Sequence, residues 1–446
     1  MSKNSESNKL GVTQLTILTA VNMMGSGIIM LPTKLASVGT MSVLSWLVTA
    51  VGSLCLAYAF AKCGMFSRKP GGMGGYAEYA FGKSGNFMAN FTYAISLVIA
   101  NIAIAISAVG YGSVLFDWHP TPVMTCVATI IVIWVTTVAN FGGPHITGRI
   151  GAVTVWGVIA PVVVISVMGW FWFSPHLYAA SWNPHHVPFT TGLTTSIAMT
   201  LWAFLGLESA CANSDAVEEP EKNVPIAVFG GTLLCAVVYI ASTNVMAGFV
   251  PNADLANSTA PFGLAFAHMF TPFIGKIVMA LMVIACIGSL LGWQFTVAQV
   301  FKSSSDIGYF PVIFSKVTSK DAPVVGMIIL GVIQTILALM TISPSLNEQF
   351  NNLVNLAVVT NLIPYILSMA ALIPLQRLYS VTSLAQKAIY ITAIIGTVYS
   401  FYALYASGSD AMLAGSLVTF AGWSFYGLFV RDANTCPKTE SDTTSN

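Results

Sequence analysis

Charged positions in this chain are sparse and sit between long apolar runs. No Asp, Glu, Lys or Arg occurs between Arg149 and Glu208. A membrane span needs about 20 apolar residues, so this interval alone holds two. Read this way, the chain predicts twelve spans, near 12–34, 40–62, 86–116, 121–141, 150–173, 189–214, 225–250, 274–303, 324–343, 350–374, 387–407 and 411–431. The first is read as retained rather than as a signal peptide: it lacks a small-residue cleavage site, and a glycine-rich interruption sits in its middle. The stretch 260–273 is apolar but interrupted by Pro261, His268 and Pro272, which predicts a short lateral helix or re-entrant loop. The pattern describes an all-α polytopic membrane protein. It has one transmembrane domain over 1–431 and a polar, disordered cytoplasmic tail over 432–446.

Composition agrees. Hydrophobic residues make up 56% of the chain and charged residues 7%, against roughly half and a quarter in soluble domains. With the amino terminus inside, only Lys34 and Lys276 of the 17 Lys and Arg fall outside. This is a strong positive-inside signal, and it places both termini in the cytoplasm. A net charge of +1 gives no sign of a nucleic-acid partner. Cys55, Cys126, Cys211, Cys235 and Cys286 fall within spans, Cys63 at an inner edge and Cys436 in the tail. An odd count at membrane depth is no disulfide framework. His185 and His186 lie beside Pro184 with no third ligand nearby, so neither a metal nor another cofactor is expected.

The chemistry concentrates in two spans. Glu208 is the one carboxylate deep inside a span. A charge there costs about 3 kcal/mol or more, so such residues usually face a water-filled cavity and mark a path for substrate. An anionic site implies a cationic passenger. The first span carries the break Asn22-Met23-Met24-Gly25-Ser26-Gly27, and the sixth carries Phe204-Leu205-Gly206-Leu207-Glu208. Glycines can serve packing alone. Interrupted spans at corresponding positions of two halves, however, point to a transporter's binding site, because irregular backbone at that depth is tolerated beside a cavity or within protein. Counting rise per residue puts Gly25, Asn101 and Trp202 roughly 12 to 15 residues from the cytoplasmic ends of their spans, with Tyr93, Tyr365 and Trp293 somewhat nearer those ends. Convergence on one point would also require suitable helix rotations.

Four stretches carry a family resemblance: Val21 to Pro32, Gly71 to Gly82, Trp202 to Ala210, and Gly292-Trp293-Gln294-Phe295, together with Trp182-Asn183-Pro184-His185-His186. Through them the chain resembles the amino acid–polyamine–organocation superfamily over nearly its whole length. The branch is that of basic amino acid/polyamine antiporters, and the putrescine–ornithine members are most similar. The resemblance implies an inverted five-plus-five repeat with helices 1 and 6 broken. The first repeat would cover about 12–173, the second about 189–374, and two extra helices about 387–431. It implies that Ser26 and Gly27 hold an amino acid head group, with Asn22 and Asn101 among the substrate contacts. It gives Trp202 and Trp293 the role of gates beside the substrate, and it makes an inner gate of Tyr93, Glu208 and Tyr365. Where the arginine–agmatine relative has a serine that reads the guanidinium, Ala357 stands here, which argues against a guanidinium substrate. The tail sequence Arg431-Asp432-Ala433-Asn434 departs from the putrescine–ornithine pattern, so no tail acid is carried over.

Weaker vestibule candidates are Cys63, Glu78, Lys302, Tyr309, Trp423 and Tyr426. Glu78 reads equally as a solvated loop acid, Trp423 and Tyr426 as interfacial aromatics, and Lys302 as a positive-inside lysine. The acidic run Asp215, Glu218, Glu219 and Glu221 reads as a solvated loop that attracts cations at long range.

The expected function is exchange of putrescine for ornithine across a bacterial inner membrane. Proton-coupled uptake and a homodimer are both compatible with it. Lysine–cadaverine exchange, arginine–agmatine exchange and a passive cation pore are the alternatives. No second carboxylate, Ser–His pair or metal cluster shares the depth of Glu208, so an enzyme is not expected.

Overall fold

The computed structural model describes residues 11–25, 27–69, 71–208, 218–379 and 382–430. Among these there are helices and turns but no strand. In chain order the helices are α1 (Val12–Met23), α2 (Leu31–Ala36), α3 (Val43–Phe66), α4 (Met73–Leu115), α5 (Pro122–Ala139), α6 (Pro144–Thr154), α7 (Trp156–Met168), α8 (Pro175–Ala180), α9 (Phe189–Trp202), α10 (Pro220–Ala247), α11 (Asn252–Asn257), α12 (Pro261–Met269), α13 (Pro272–Asp306), α14 (Val324–Met340), α15 (Leu346–Arg377), α16 (Ser383–Ala406) and α17 (Ser409–Phe429).

Nine helical stretches among the described residues are long and apolar enough to cross a membrane, with α1 and α14 as shorter apolar helices. The outer surface fits that setting. Val51, Val135, Val153, Phe171, Met340, Leu384 and Leu428 are each more than half exposed. A water-soluble protein rarely presents apolar surface so widely, whereas a lipid-facing helix does so at no cost. This is a multi-pass helical membrane protein.

Local sequence sets many of the boundaries. α5 and α13 both open on a Thr-Pro signal: the Thr121 and Thr271 hydroxyls accept from the amides of Met124 and Ile274, with Pro122 and Pro272 at the first turn. Ser345 and Thr382 cap α15 and α16 in the same manner. Such caps satisfy an amide that has no partner inside the helix, and proline at the first position loses no hydrogen bond.

α4 has 43 residues, about twice what a bilayer requires. It is divided at Gly82, whose φ of 65° leaves the helical region. The part before Gly82 forms a separate short helix, and the part after it is the buried spine of the molecule. In α4's most apolar window 94% of residues are buried, against 11% in α17. α15 and α13 pack along α4, α1 lies against α10, α10 against α3, and α16 and α17 cover α15 from outside.

The first and sixth spans are interrupted where the glycines within them lead one to expect. The first expected span (12–34) is two helices, α1 and α2, separated by non-helical residues around Gly25 and Gly27. The sixth (189–214) stops being helical at Trp202. Beyond it the chain continues in tight turns: the amides of Phe204, Leu205 and Leu207 bond to the carbonyls of Leu201, Trp202 and Phe204, three residues back. Gly206 has φ 107°, which an α-helix cannot absorb. The expected continuation over 209–214 lies outside the described residues, as do Ser26, Cys211, Asp215 and the 432–446 tail. The interrupted stretch 260–273 contains the nine-residue helix α12, packed on α13. Smaller shifts occur elsewhere: α10 starts at Pro220 rather than near 225, and α15 runs Leu346–Arg377 rather than 350–374.

Candidate functional site

The two interruptions touch. A methyl group placed on Gly27 would lie 3.0 Å from Ala203 Cα, and one placed on Gly206 would lie 3.1 Å from the Asn22 carbonyl and 3.3 Å from the Trp293 ring. Both positions therefore need glycine for close approach of backbone to backbone, and Gly206 also needs it for its positive φ. Where the breaks meet, helices cannot pack as cylinders, and a narrow central cavity remains. Its lining includes Asn22, Gly25 and Gly27 from the first break. Ser96, Leu97, Ala100 and Ile104 come from α4; Trp202, Leu205, Gly206 and Glu208 from α9 and the turns after it; Trp293 comes from α13 and Asn361 from α15.

Glu208 is the one ionisable side chain among the described residues of that lining, and it is 5% exposed. Its carboxylate is held on three sides. The Tyr93 hydroxyl donates to Oε1 at 3.1 Å, the Tyr365 hydroxyl to Oε2 at 2.5 Å, and the Gly206 amide to Oε2 at 3.0 Å. The tyrosines come from α4 and α15, the two helices most closely packed along the spine. Phe60 backs Tyr365 edge-on, with centroids 4.8 Å apart. These bonds satisfy the anion in a place where water would otherwise be needed. They also tie α4, α15 and the break after α9 into one layer.

Two indoles flank the cavity. Trp202 is buried, with its ring edge-to-face against Phe350 at 6.5 Å. On the other side of Phe350 lies Lys34, with Nζ 5.7 Å from the ring centroid and donating to the Asn347 carbonyl. Lys34 is buried and ties α2 to α15. Trp293 lines the central cavity and also a second, larger one bounded by α1, α6, α7 and α13. A cation against an indole face gains about 0.5 to 2 kcal/mol, more as water is excluded.

Of the residues singled out from sequence, Asn22, Gly27, Trp202, Glu208 and Trp293 line one cavity, and Tyr93 and Tyr365 bond to Glu208. Ser26 lies outside the described residues. Asn101 does not line the cavity. It is fully buried one position beyond Ala100, and neither polar atom of its carboxamide has a partner among the described residues.

The vestibule candidates divide. Cys63 is corrected: it is 0% exposed, with its thiol directed at the Ser368 carbonyl, because α3 turns that face into the core. Glu78 is partly exposed but not free. Lys69 and Asn86 donate to its two oxygens at 2.7 Å each, and the Tyr309 hydroxyl reaches it at 3.4 Å. Tyr426 packs edge-on against Phe87. Lys302 pairs with Asp306 at 2.8 Å. Trp423 is half exposed on the outer face of α17, where an interfacial aromatic belongs. Glu218 and Glu219 are exposed. No group of three or more metal-ligating side chains occurs among the described residues.

Asn361 and Ser96 were missed from sequence. Asn361 lies four residues before Tyr365, on the same helix face, so a polar residue one turn from a gate tyrosine was the available signal. Ser96, which donates to the Ala357 carbonyl at 2.8 Å, lies three residues after Tyr93 and offered the same kind of signal.

Comparison with known proteins places these features in a family. A family model described as amino acid permease matches residues 10–421. The chain is 71% identical over 424 residues to the putrescine transporter PotE of Escherichia coli (strain K12), covering 95% of this chain and 97% of that one. It is 68% identical over 424 residues to the putrescine transporter PotE of Haemophilus influenzae, covering 95% and 98%. It is 32% identical over 430 residues to a cadaverine/lysine antiporter of Escherichia coli (strain K12), covering 95% of each.

Proposed function

This chain belongs to the amino acid permease family, and from that premise we propose that it exchanges putrescine for ornithine across a bacterial inner membrane by alternating access. The observation that carries the reading is the Glu208 carboxylate, the one acid among the described residues that line a central cavity flanked by Trp202 and Trp293. The 71% and 68% identity to putrescine transporters supports the choice of diamine.

Three further crossings (α1 with α2, one that begins with α9, and α14) added to the nine long apolar stretches make twelve. In the proposed architecture 12–173 and 189–374 are inverted five-helix repeats, and 387–431 adds two helices. The domain covers 1–431, the tail 432–446, and both termini are cytoplasmic. The contact of the two breaks supports this arrangement, since each break would open one repeat.

The mechanism follows from charge. Putrescine carries two ammonium groups and no acceptor. One ammonium pairs with Glu208 while the indoles of Trp202 and Trp293 flank the aliphatic chain. Ornithine places its side-chain ammonium on Glu208 and its head group at the broken backbone around Gly27. One cavity thus serves both passengers, which share a short amine-bearing chain. Formation of the ammonium–carboxylate pair takes acceptor capacity from Tyr93 and Tyr365, so loading the site loosens the layer that joins α4 and α15. A protonated Glu208 would offer no charge to the diamine, which allows proton-linked uptake through the same residue. Every residue of this site comes from one chain, so the reading asks nothing of a homodimer.

The test is competition against labelled putrescine uptake in proteoliposomes, with putrescine, ornithine, cadaverine, lysine, agmatine and arginine as unlabelled competitors. Putrescine and ornithine should compete at the lowest concentrations. Strong preference for arginine or for cadaverine would overturn the substrate choice. Steady conductance in bilayers without any counter-substrate would overturn exchange itself.

A further inference from the structure

Asn361 is a polar side chain at membrane depth with an unmet bond. It is 1% exposed, it lines the central cavity, and its Nδ2 has no hydrogen-bond partner among the described residues. The Tyr365 hydroxyl, one turn along α15, is committed to Glu208 and does not meet the Asn361 amide in hydrogen-bond geometry. A buried N–H without a protein acceptor costs about 1–3 kcal/mol unless a ligand or water in the cavity meets it. Buried amides without partners are uncommon and need an explanation. Here the amide faces the one space in which an acceptor can arrive with the passenger.

The two passengers differ in what they bring. A diamine at neutral pH has only donors. An amino acid adds a carboxylate with two acceptor oxygens. We propose that Asn361 is a specificity-determining residue of the cavity, donating its carboxamide N–H to the carboxylate of the amino acid passenger and finding no such partner on the diamine. This deepens, and rests on, the exchange reading above. Glu208 reads the ammonium common to both passengers, and Asn361 reads the group that separates them. The asymmetry lets one cavity hold two substrates without holding them equally, and the apo protein carries the cost as an unsatisfied donor.

The test is the ratio of two affinities in purified full-length protein. Binding of ornithine and of putrescine is measured for wild type, Asn361→Leu (similar size, no donor) and Asn361→Asp (same shape, donor replaced by acceptor). Loss of a hydrogen bond to a charged group predicts that Asn361→Leu weakens ornithine about tenfold or more and leaves putrescine within about threefold. Asn361→Asp should move the ratio further in the same direction, because a second acid repels the carboxylate. Thermal stability of apo Asn361→Leu should equal or exceed that of wild type, since the substitution removes an unpaired buried donor. Equal weakening of both ligands, or a ratio unchanged in both variants, would overturn the assignment while leaving the exchange reading intact. Wild-type protein that binds putrescine but no ornithine would remove both.

Discussion

Glu208→Gln is expected to lower putrescine–ornithine exchange in proteoliposomes by about 100-fold or more while leaving the protein folded. Removing one partner of a buried charge pair costs roughly 3–5 kcal/mol, and each 1.4 kcal/mol is tenfold in affinity. The substitution is nearly isosteric. The amide oxygen can still accept from one tyrosine, and loss of a charge at membrane depth removes a desolvation penalty. Yield and melting temperature should therefore match or exceed wild type, which separates loss of transport from loss of fold. Exchange near the wild-type rate would mean that the passenger's charge is not read at Glu208.

Gly206→Ala is expected to have the next largest effect, for a different reason. Gly206 adopts φ 107°, where a residue with a Cβ is strained by about 1–3 kcal/mol. The new methyl would also lie 3.1 Å from the Asn22 carbonyl and 3.3 Å from the Trp293 ring, contacts too short to accept without a shift. The Gly206 amide also donates to Glu208 Oε2 at 3.0 Å, so any shift moves the carboxylate. Exchange should fall by roughly tenfold to 100-fold, with a lower melting temperature. Gly112→Ala is the control, because a methyl there meets nothing within 4 Å and lies within α4, where alanine is the better helix former. Equal behaviour of the two variants would show that contact between the breaks does not matter.

Much of this site could be read from residue order alone, and the reason is depth. A carboxylate in an apolar run identifies itself, as Glu208 does, and glycines that interrupt a span mark where helices break. What order does not encode is rotation about each helix axis. Asn101 and Asn361 are both asparagines inside apolar spans. One turns away from the cavity and the other into it, and only packing decides which. Cys63 looked peripheral by position, yet α3 rotates it inward against α15. Glu78 looked solvated because its partners are scattered: Lys69 nine residues away, Asn86 eight, and Tyr309 across the fold. The break in the sixth span was legible from Gly206, but the exact point where the helical hydrogen-bond pattern gives way to turns, at Trp202, was not. Lys34 was placed on the correct helix, but its burial depends on Phe350 and Asn347, more than 300 positions away.

The most direct test is a structure with putrescine bound. One ammonium nitrogen should lie within about 3 Å of a Glu208 carboxylate oxygen, with the carbon chain between the Trp202 and Trp293 rings and at least one of the Tyr93 and Tyr365 hydroxyls withdrawn from the carboxylate. Putrescine seated elsewhere, with all three present hydrogen bonds to Glu208 still intact, would contradict the account.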